Sequence, residues 1–93
     1  MSQLLTEAEI RECANSLSGW SVEGNQLQIK LIFKDFVTAI EFVNKLVEPA
    51  ELAGHHPDIE ISYNKVKVTL TTHDAGGLTQ KDFDLASVIS QIS

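Results

Sequence analysis

All three histidines of this 93-residue chain fall within one short stretch, at positions 55, 56 and 73. Histidine is the side chain whose ordinary pKa, about 6.5, lets it accept and release protons near neutral pH. Two uses of grouped histidines are common in proteins: general acid and base catalysis, and metal binding. The grouping therefore predicts a site in this stretch and leaves its chemistry open between those two.

Two carboxylates flank the histidines. Glu51 lies four residues before His55, where one helical turn would let it orient or charge-stabilise that ring, although a solvated helix face is equally consistent. Asp82 lies three residues after Thr79, a position that favours an acidic residue for helix capping whatever the function. From the residues alone, a purely structural cap and a further role beside the histidines both stay open for Asp82.

The spacing of these residues resembles the signature of the pterin-4a-carbinolamine dehydratase family. The residues that carry the resemblance are Glu51, His55, His56, Pro57, Tyr63, His73 and Asp82. It extends to Gly19-Trp20 and to residues 33–36, 63–66 and 85–87. The resemblance implies an α+β fold and dehydration of 4a-hydroxytetrahydrobiopterin, or a related pterin, to the quinonoid dihydropterin and water. It implies histidine acid and base chemistry with no metal and no cofactor.

The resemblance also assigns roles to residues. We predict that His55 and His73 form the acid and base pair, that His56 binds or polarises the pterin, and that Asp82 holds an imidazole. The predicted catalytic residues are thus His55, His56, His73 and Asp82. The predicted substrate-binding residues are His56, Pro57, Glu51 and Trp20. A lone tryptophan in a strand is more typical of a core than of a ligand site, so both interpretations of Trp20 stay open.

Two other classes of function compete with the enzyme. One is a small metal-binding protein, although His55 and His56 are adjacent and match neither a zincin pair nor a zinc finger. The other is a non-catalytic interaction module, because the resemblance includes animal relatives that act as a dimerisation cofactor for a transcription factor. Inactivity on the hydroxypterin would favour the module, and stoichiometric metal would favour the metal protein.

Composition narrows the choice of partners. The formal net charge of −6 argues against nucleic-acid binding, which depends on Lys and Arg neutralising phosphates. Cys13 is the single cysteine, which excludes an internal disulfide and indicates core packing. No signal-like segment opens the sequence and the longest apolar run, residues 31–33, is too short to span a bilayer. We expect a cytoplasmic protein without membrane contact.

Hydrophobic periodicity predicts one domain over residues 1–93 in the order α-β-β-α-β-β-α, a four-stranded antiparallel sheet with three helices packed on one face. Thr6, Asp35 and Thr79 are the predicted helix caps. Gly24-Asn25 and Asn64-Lys65 are the predicted hairpin turns, and residues 74–77 a flexible loop.

A chain of this length buries only about 60–65% of its unfolded surface, and hairpins leave sheet edges unpaired. We therefore expect a homodimer or homotetramer.

The long middle helix carries two special residues. Pro49 lies inside its apolar stripe, where the missing N–H and the ring predict a kink or break. Gly54 is the predicted C-terminal stop, which would place His55 and His56 at the helix exit.

Overall fold

The computed structural model describes residues 3–92. Its elements are α1 (Glu7–Asn15), β1 (Ser21–Glu23), β2 (Gln26–Ile32), α2 (Phe36–Lys45), α3 (Val47–Ala53), β3 (Asp58–Ser62), β4 (Lys65–Leu70) and α4 (Gln80–Ile92). A single 3₁₀ turn, His73–Ala75, lies between β4 and α4. Residues 1, 2 and 93 of the predicted domain lie outside the described residues.

The four strands form one antiparallel sheet in the order β1-β2-β4-β3. Alternate residues of the two central strands are buried, because side chains of a strand point to opposite faces. The buried hydrophobic side chains on these strands are Leu27, Ile29, Val66, Val68 and Leu70. It shares one hydrophobic core with Ala39 and Phe42 of α2 and with Phe83, Ala86 and Ile89 of α4. The predicted α+β architecture and element order are confirmed.

Two of the predicted helix caps are present. The Thr6 hydroxyl accepts from the backbone N–H of Glu9, and the Glu9 carboxylate accepts from the backbone N–H of Thr6. The Asp35 carboxylate accepts from both the backbone N–H and the hydroxyl of Thr38. These two hydrogen bonds, the backbone one first, lower the pKa of Asp35 because they favour the charged carboxylate.

The long middle helix is broken, as expected, but one turn before the proline. The break lies at Leu46, which ends α2 and precedes α3. Pro49 thereby becomes the third residue of α3. The first backbone N–H groups of a helix have no acceptor within the helix, so the missing donor of Pro49 costs no hydrogen bond there.

The connections around β4 correct one prediction and define the backbone of a predicted loop. The β3–β4 turn is formed by Tyr63-Asn64 rather than Asn64-Lys65, because Lys65 already pairs with Ser62 and Ile32 in the sheet. Tyr63 is 66% exposed there and adopts a positive φ of 54°, so it does not pack in the core. The predicted loop at residues 74–77 belongs to a closed turn, in which His73–Ala75 form the 3₁₀ turn and Thr72 pairs with Gly77.

Gly54 ends α3 in the left-handed conformation, with φ 62° and ψ 31°. We expect Gly54→Ala to lower the free energy of unfolding by about 1–2 kcal/mol, because this backbone conformation is strained for a residue with a Cβ. No heavy atom lies within 4 Å of a Cβ built at this position, so the loss would come from backbone strain rather than from a clash. Urea denaturation measures it.

Gly54→Asn is the matched control, since asparagine tolerates the left-handed conformation better than alanine. The asparagine variant should lose less stability than the alanine variant. Equal stability of Gly54→Ala and the unsubstituted protein would contradict this account of the helix end.

Candidate active site

The three histidines lie around one cleft of about 260 Å³. Its walls come from the end of α3, the segment after β4 and the first turn of α4. The lining residues are Gly54, His55, His56, Thr71, Thr72, His73, Asp74 and Lys81. A larger cleft of about 570 Å³ lies against the sheet between Lys30, Lys65 and Lys67, but its lining includes no histidine. Cleft volume alone would select the larger cleft as the active site, whereas the three histidines line the smaller one. We take the smaller cleft as the candidate active site, because it contains the groups that can transfer protons.

Local backbone structure explains why the histidines meet. The left-handed turn at Gly54 stops α3, and the backbone N–H of His55 donates to the carbonyl of Ala50 at 3.1 Å, which closes the helix end. His73 opens the 3₁₀ turn that follows β4. Residues far apart in the chain therefore reach the same cleft, because the turn at Gly54 and the 3₁₀ turn both lie beside the start of α4.

His55 contacts the carboxylate of Asp82. The distance from His55 Nε2 to Asp82 Oδ1 is 2.6 Å, and the two side chains are 11% and 0% exposed. Among residues 3–92, no hydrogen-bond partner is present for the other ring nitrogen, Nδ1. A carboxylate that accepts from one ring nitrogen fixes the tautomer and leaves the other nitrogen for chemistry.

The Asp82 carboxylate is fully buried and has several donors. Its second oxygen, Oδ2, accepts from the Thr72 hydroxyl and from the backbone N–H of Thr79, both at 2.9 Å. The Thr79 hydroxyl lies 2.8 Å from the Thr72 hydroxyl. A buried charge is tolerated when it is paired and hydrogen-bonded, which this arrangement provides. Asp82 thus caps the start of α4 and contacts a histidine, the two roles considered for it.

Glu51 is paired with His56 rather than with His55. Its Oε2 lies 2.5 Å from Nε2 of His56, and the two side chains are 68% and 63% exposed. Of the two interpretations left open for Glu51, the exposed helix face is present and a hydrogen bond to His55 is not, because the chain leaves the helix at Gly54 and the four-residue helical spacing no longer applies. The His56 pair is exposed to solvent, in contrast to the buried pair of His55.

The other predicted site residues are more dispersed. His73 is exposed on the cleft wall. Pro57 is half-buried and leads from His56 into β3. Trp20 is 7% exposed within the core, and its indole Nε1 donates to Ser90 Oγ at 2.7 Å. Trp20 is not among the residues lining the histidine cleft, so its position does not support the predicted contact with a ligand.

Sequence reasoning did not predict the hydrogen bonds that Thr72 and Thr79 form around Asp82, although Thr79 was a predicted helix cap. Thr72 and Thr79 are both buried, and their hydroxyls lie beside the carboxylate. The alternation of side chains gave a signal for Thr72, since it must point away from its exposed neighbour His73. Lys81 was also missed, and it adds a cation to the cleft lining.

Within residues 3–92, no group of three or more His, Cys, Asp or Glu side chains is arranged to hold a metal ion. None of the helices in the same range combines the length and the apolar character that crossing a bilayer requires.

Comparison with known proteins assigns the family. The family model for pterin 4 alpha carbinolamine dehydratase matches residues 3–92. The chain belongs to this family. The resemblance read from the histidine spacing is thereby confirmed.

Relatives within the dehydratase family are similar over their full lengths. A protein of Trichormus variabilis, provisionally named pterin-4-alpha-carbinolamine dehydratase, is 74% identical over 100% of both chains. A provisionally named dehydratase of Acidobacterium capsulatum is 52% identical over 99% of both chains. Identity at this level extends across the whole domain rather than the histidine segment alone.

Two solved structures share the dehydratase fold. A transcriptional coactivator/pterin dehydratase from Brucella melitensis superposes with a TM-score of 0.90 and 39% identity, over 95% of this chain and 96% of its own. A pterin dehydratase-like protein, described as a RuBisCO assembly factor in the alpha-carboxysome, superposes with a TM-score of 0.63 over 78% and 84% of the two chains. Its identity is 19%, so the second likeness shows the fold alone.

The two histidine–carboxylate pairs predict different effects on stability. We expect His55→Ala to lower the free energy of unfolding by about 1–3 kcal/mol, because it removes a donor from a buried carboxylate. His56→Ala removes an exposed pair and should change it by about 0.5 kcal/mol or less. Chemical denaturation at pH 7 measures both variants. Equal losses would mean that burial does not distinguish the two pairs.

Proposed function

We propose that this chain dehydrates 4a-hydroxytetrahydrobiopterin, or a related pterin, to the quinonoid dihydropterin and water, and so supports recycling of a tetrahydropterin cofactor. The observation that carries the proposal is the buried His55–Asp82 pair, at 2.6 Å, in a cleft that His56 and His73 also line. The membership of this chain in the dehydratase family supports it. The relatives' provisional dehydratase names support the same activity.

The reaction needs two proton transfers. The substrate carbon C4a carries a hydroxyl group, and hydroxide is a poor leaving group until an acid protonates it. As the C4a–O bond breaks, the lone pair of the neighbouring ring nitrogen forms the C=N double bond, and a base takes the proton from that nitrogen. Histidines fit both roles because the imidazole exchanges protons near neutral pH.

The environments of His55 and His73 favour different roles. We assign His55 as the base, because the Asp82 carboxylate stabilises the imidazolium that forms when the free Nδ1 accepts a proton. His73 is exposed, belongs to the same cleft lining and is assigned as the acid that protonates the leaving hydroxyl. Solvent contact allows His73 to be reprotonated after each turnover.

The remaining predicted residues are assigned to binding of the pterin or to the direction of the backbone beside the cleft. His56 with its partner Glu51 presents a polar pair at the rim of the cleft, suited to hydrogen bonding with the pterin ring. Pro57 fixes the direction of the chain after the histidine pair through its restricted φ. Trp20 has no part in this assignment, because its side chain is enclosed in the core.

A non-catalytic interaction role is the second candidate. It is favoured by the Brucella melitensis relative, whose description includes transcriptional coactivator as well as pterin dehydratase. The discriminating experiment is a stopped-flow absorbance assay with freshly generated 4a-hydroxytetrahydropterin. Acceleration of dehydration by the purified protein supports the enzyme, and a rate equal to that of buffer would favour the interaction module.

The histidine variants test the assigned roles. We expect His55→Ala and His73→Ala to lower kcat by about 10²–10⁴-fold, the range typical of a positioned acid or base. His56→Ala should raise KM more than it lowers kcat, because ground-state and transition-state binding are lost alike. Thermal melts of each variant control for unfolding. Unchanged kcat and KM in all three variants, each measured below its melting temperature, would refute the assignment.

We also propose that the chain forms a homodimer or homotetramer. β3 lies at the edge of the sheet, paired only with β4 within residues 3–92, and its outer backbone groups are open to another strand. Large apolar side chains are also exposed, among them Leu52 at 81%, Ile32 at 75% and Val37 at 65%. Burying such surface on a second copy would enlarge a small core.

Light scattering at micromolar concentration tests the assembly. We expect a mass of two or four subunits, because the exposed strand edge and apolar residues favour self-association. A matched variant, Ile61→Lys on the edge strand, places a charge where a second strand would pair and should lower the mass. A single-subunit mass of the unsubstituted protein at every concentration would contradict the proposal.

A further inference from the structure

Two buried threonines connect the segment after β4 to the start of α4 behind the histidine cleft. Thr72 is 7% exposed and Thr79 is 1% exposed. Their hydroxyls are 2.8 Å apart, and the Thr72 hydroxyl lies 2.9 Å from Asp82 Oδ2. The threonine hydroxyls reach His55 only through the carboxylate, so any effect on the chemistry passes through Asp82.

The hydrogen bonds of this network have a definite direction. A hydroxyl has one proton to donate, and that of Thr72 is used on Asp82 Oδ2. The contact between the two hydroxyls must then be a donation from Thr79 to Thr72. Three donors converge on the carboxylate, namely the Thr72 hydroxyl, the Thr79 backbone N–H and the His55 ring. All of them suit an acceptor that is ionised.

The two oxygens of the Asp82 carboxylate have different hydrogen-bond partners. Oδ2 is occupied by the threonine hydroxyl and the backbone N–H, and Oδ1 is left to His55. The Thr72 hydroxyl therefore opposes rotation of the carboxylate away from the ring. The backbone N–H alone would leave one of the two contacts that resist rotation.

We infer that Thr72 is a positioning residue for His55. Together with Thr79 it fixes the Asp82 carboxylate so that neutral His55 carries its proton on Nε2 and offers the unprotonated Nδ1 to the substrate. The inference rests on the proposed function for its catalytic consequence. Its structural content, the fixed proton on Nε2, can be measured without any substrate.

The variants separate the hydroxyl from the rest of the threonine side chain. Thr72→Val keeps the size and branching and removes the hydroxyl, whereas Thr72→Ser keeps the hydroxyl and removes the methyl group. Thr69→Val is the matched control, since Thr69 is a buried threonine of β4 at 9% exposure and is not part of the cleft lining. A merely structural role for threonine methyl groups would affect the serine variant most.

The first measurement is the ring N–H proton of His55, observed by NMR of protein carrying ¹⁵N-labelled histidine. We expect the unsubstituted protein to show this proton on Nε2, protected from exchange with water by its bond to a buried carboxylate. Thr72→Val should exchange it faster, and Thr72→Ser and Thr69→Val should retain the protection. A proton on Nδ1, or unchanged exchange in a folded Thr72→Val, would overturn the inference.

The second measurement is dehydration kinetics of the same proteins. In metal sites, loss of a group that orients a histidine from outside typically costs about 10–100-fold in affinity or activity, and we take the same range for the orientation of His55. We expect that decrease in kcat for Thr72→Val with little change in KM, and near-complete rescue in Thr72→Ser. An unchanged kcat in Thr72→Val, or no rescue by serine, would overturn the inference.

A third variant covers the case in which Thr72→Val does not fold. Thr79→Val removes the hydroxyl that donates to Thr72 and keeps the backbone N–H on Asp82, so it should give a smaller acceleration of exchange in the same direction. Exchange as slow as in the unsubstituted protein would contradict the positioning of His55 by Thr72 and Thr79 through Asp82. If the unsubstituted protein proves inactive on the hydroxypterin, the proposed function fails, and the NMR measurement still decides the positioning role.

Discussion

Burial of the Asp82 carboxylate is the constraint on which the arrangement of the site depends. An unpaired charge in a protein interior is strongly unfavourable, so a fully buried carboxylate must be surrounded by donors. Its donors come from three places in the chain: the exit of α3, the segment after β4 and the cap of α4. Satisfying one charge therefore brings together the segments that contain His55 and His73.

The two histidine–carboxylate pairs show that burial changes how firmly the same contact holds an imidazole ring. His55–Asp82 and His56–Glu51 have nearly equal distances, 2.6 and 2.5 Å. The first is sheltered from water and has few alternative geometries, whereas the second competes with solvent and counterions. Only the buried pair can hold a ring in one orientation during a reaction, which is why the base is assigned to His55.

The backbone between α2 and β3 directs His55 toward Asp82. The break at Leu46 allows Pro49 to lie in the first turn of a new helix, and the left-handed Gly54 ends that helix after two turns. His55 then leaves the helix rather than continuing along its face. This exit separates His55 from Glu51 and turns it toward Asp82.

The sequence by itself determined the features that depend on neighbouring residues. The Thr6 and Asp35 caps, the alternation in β2 and β4 and the stop at Gly54 are local, and the structure contains each of them. The spacing of the histidines also identified the family. The partner of Asp82 could be predicted as an imidazole, but the spacing alone did not decide which one.

Only the tertiary structure decided the contacts between segments. Glu51 pairs with His56 because the helix ends at Gly54, Trp20 is enclosed by the core, and Thr72 supports Asp82 across ten positions of sequence. The break at Leu46 rather than at Pro49 and the turn at Tyr63-Asn64 likewise depend on register with neighbouring elements. The physical reason is that local patterns fix the direction of the backbone over a few residues. Which side chains share a buried charge depends on how the sheet and helices pack.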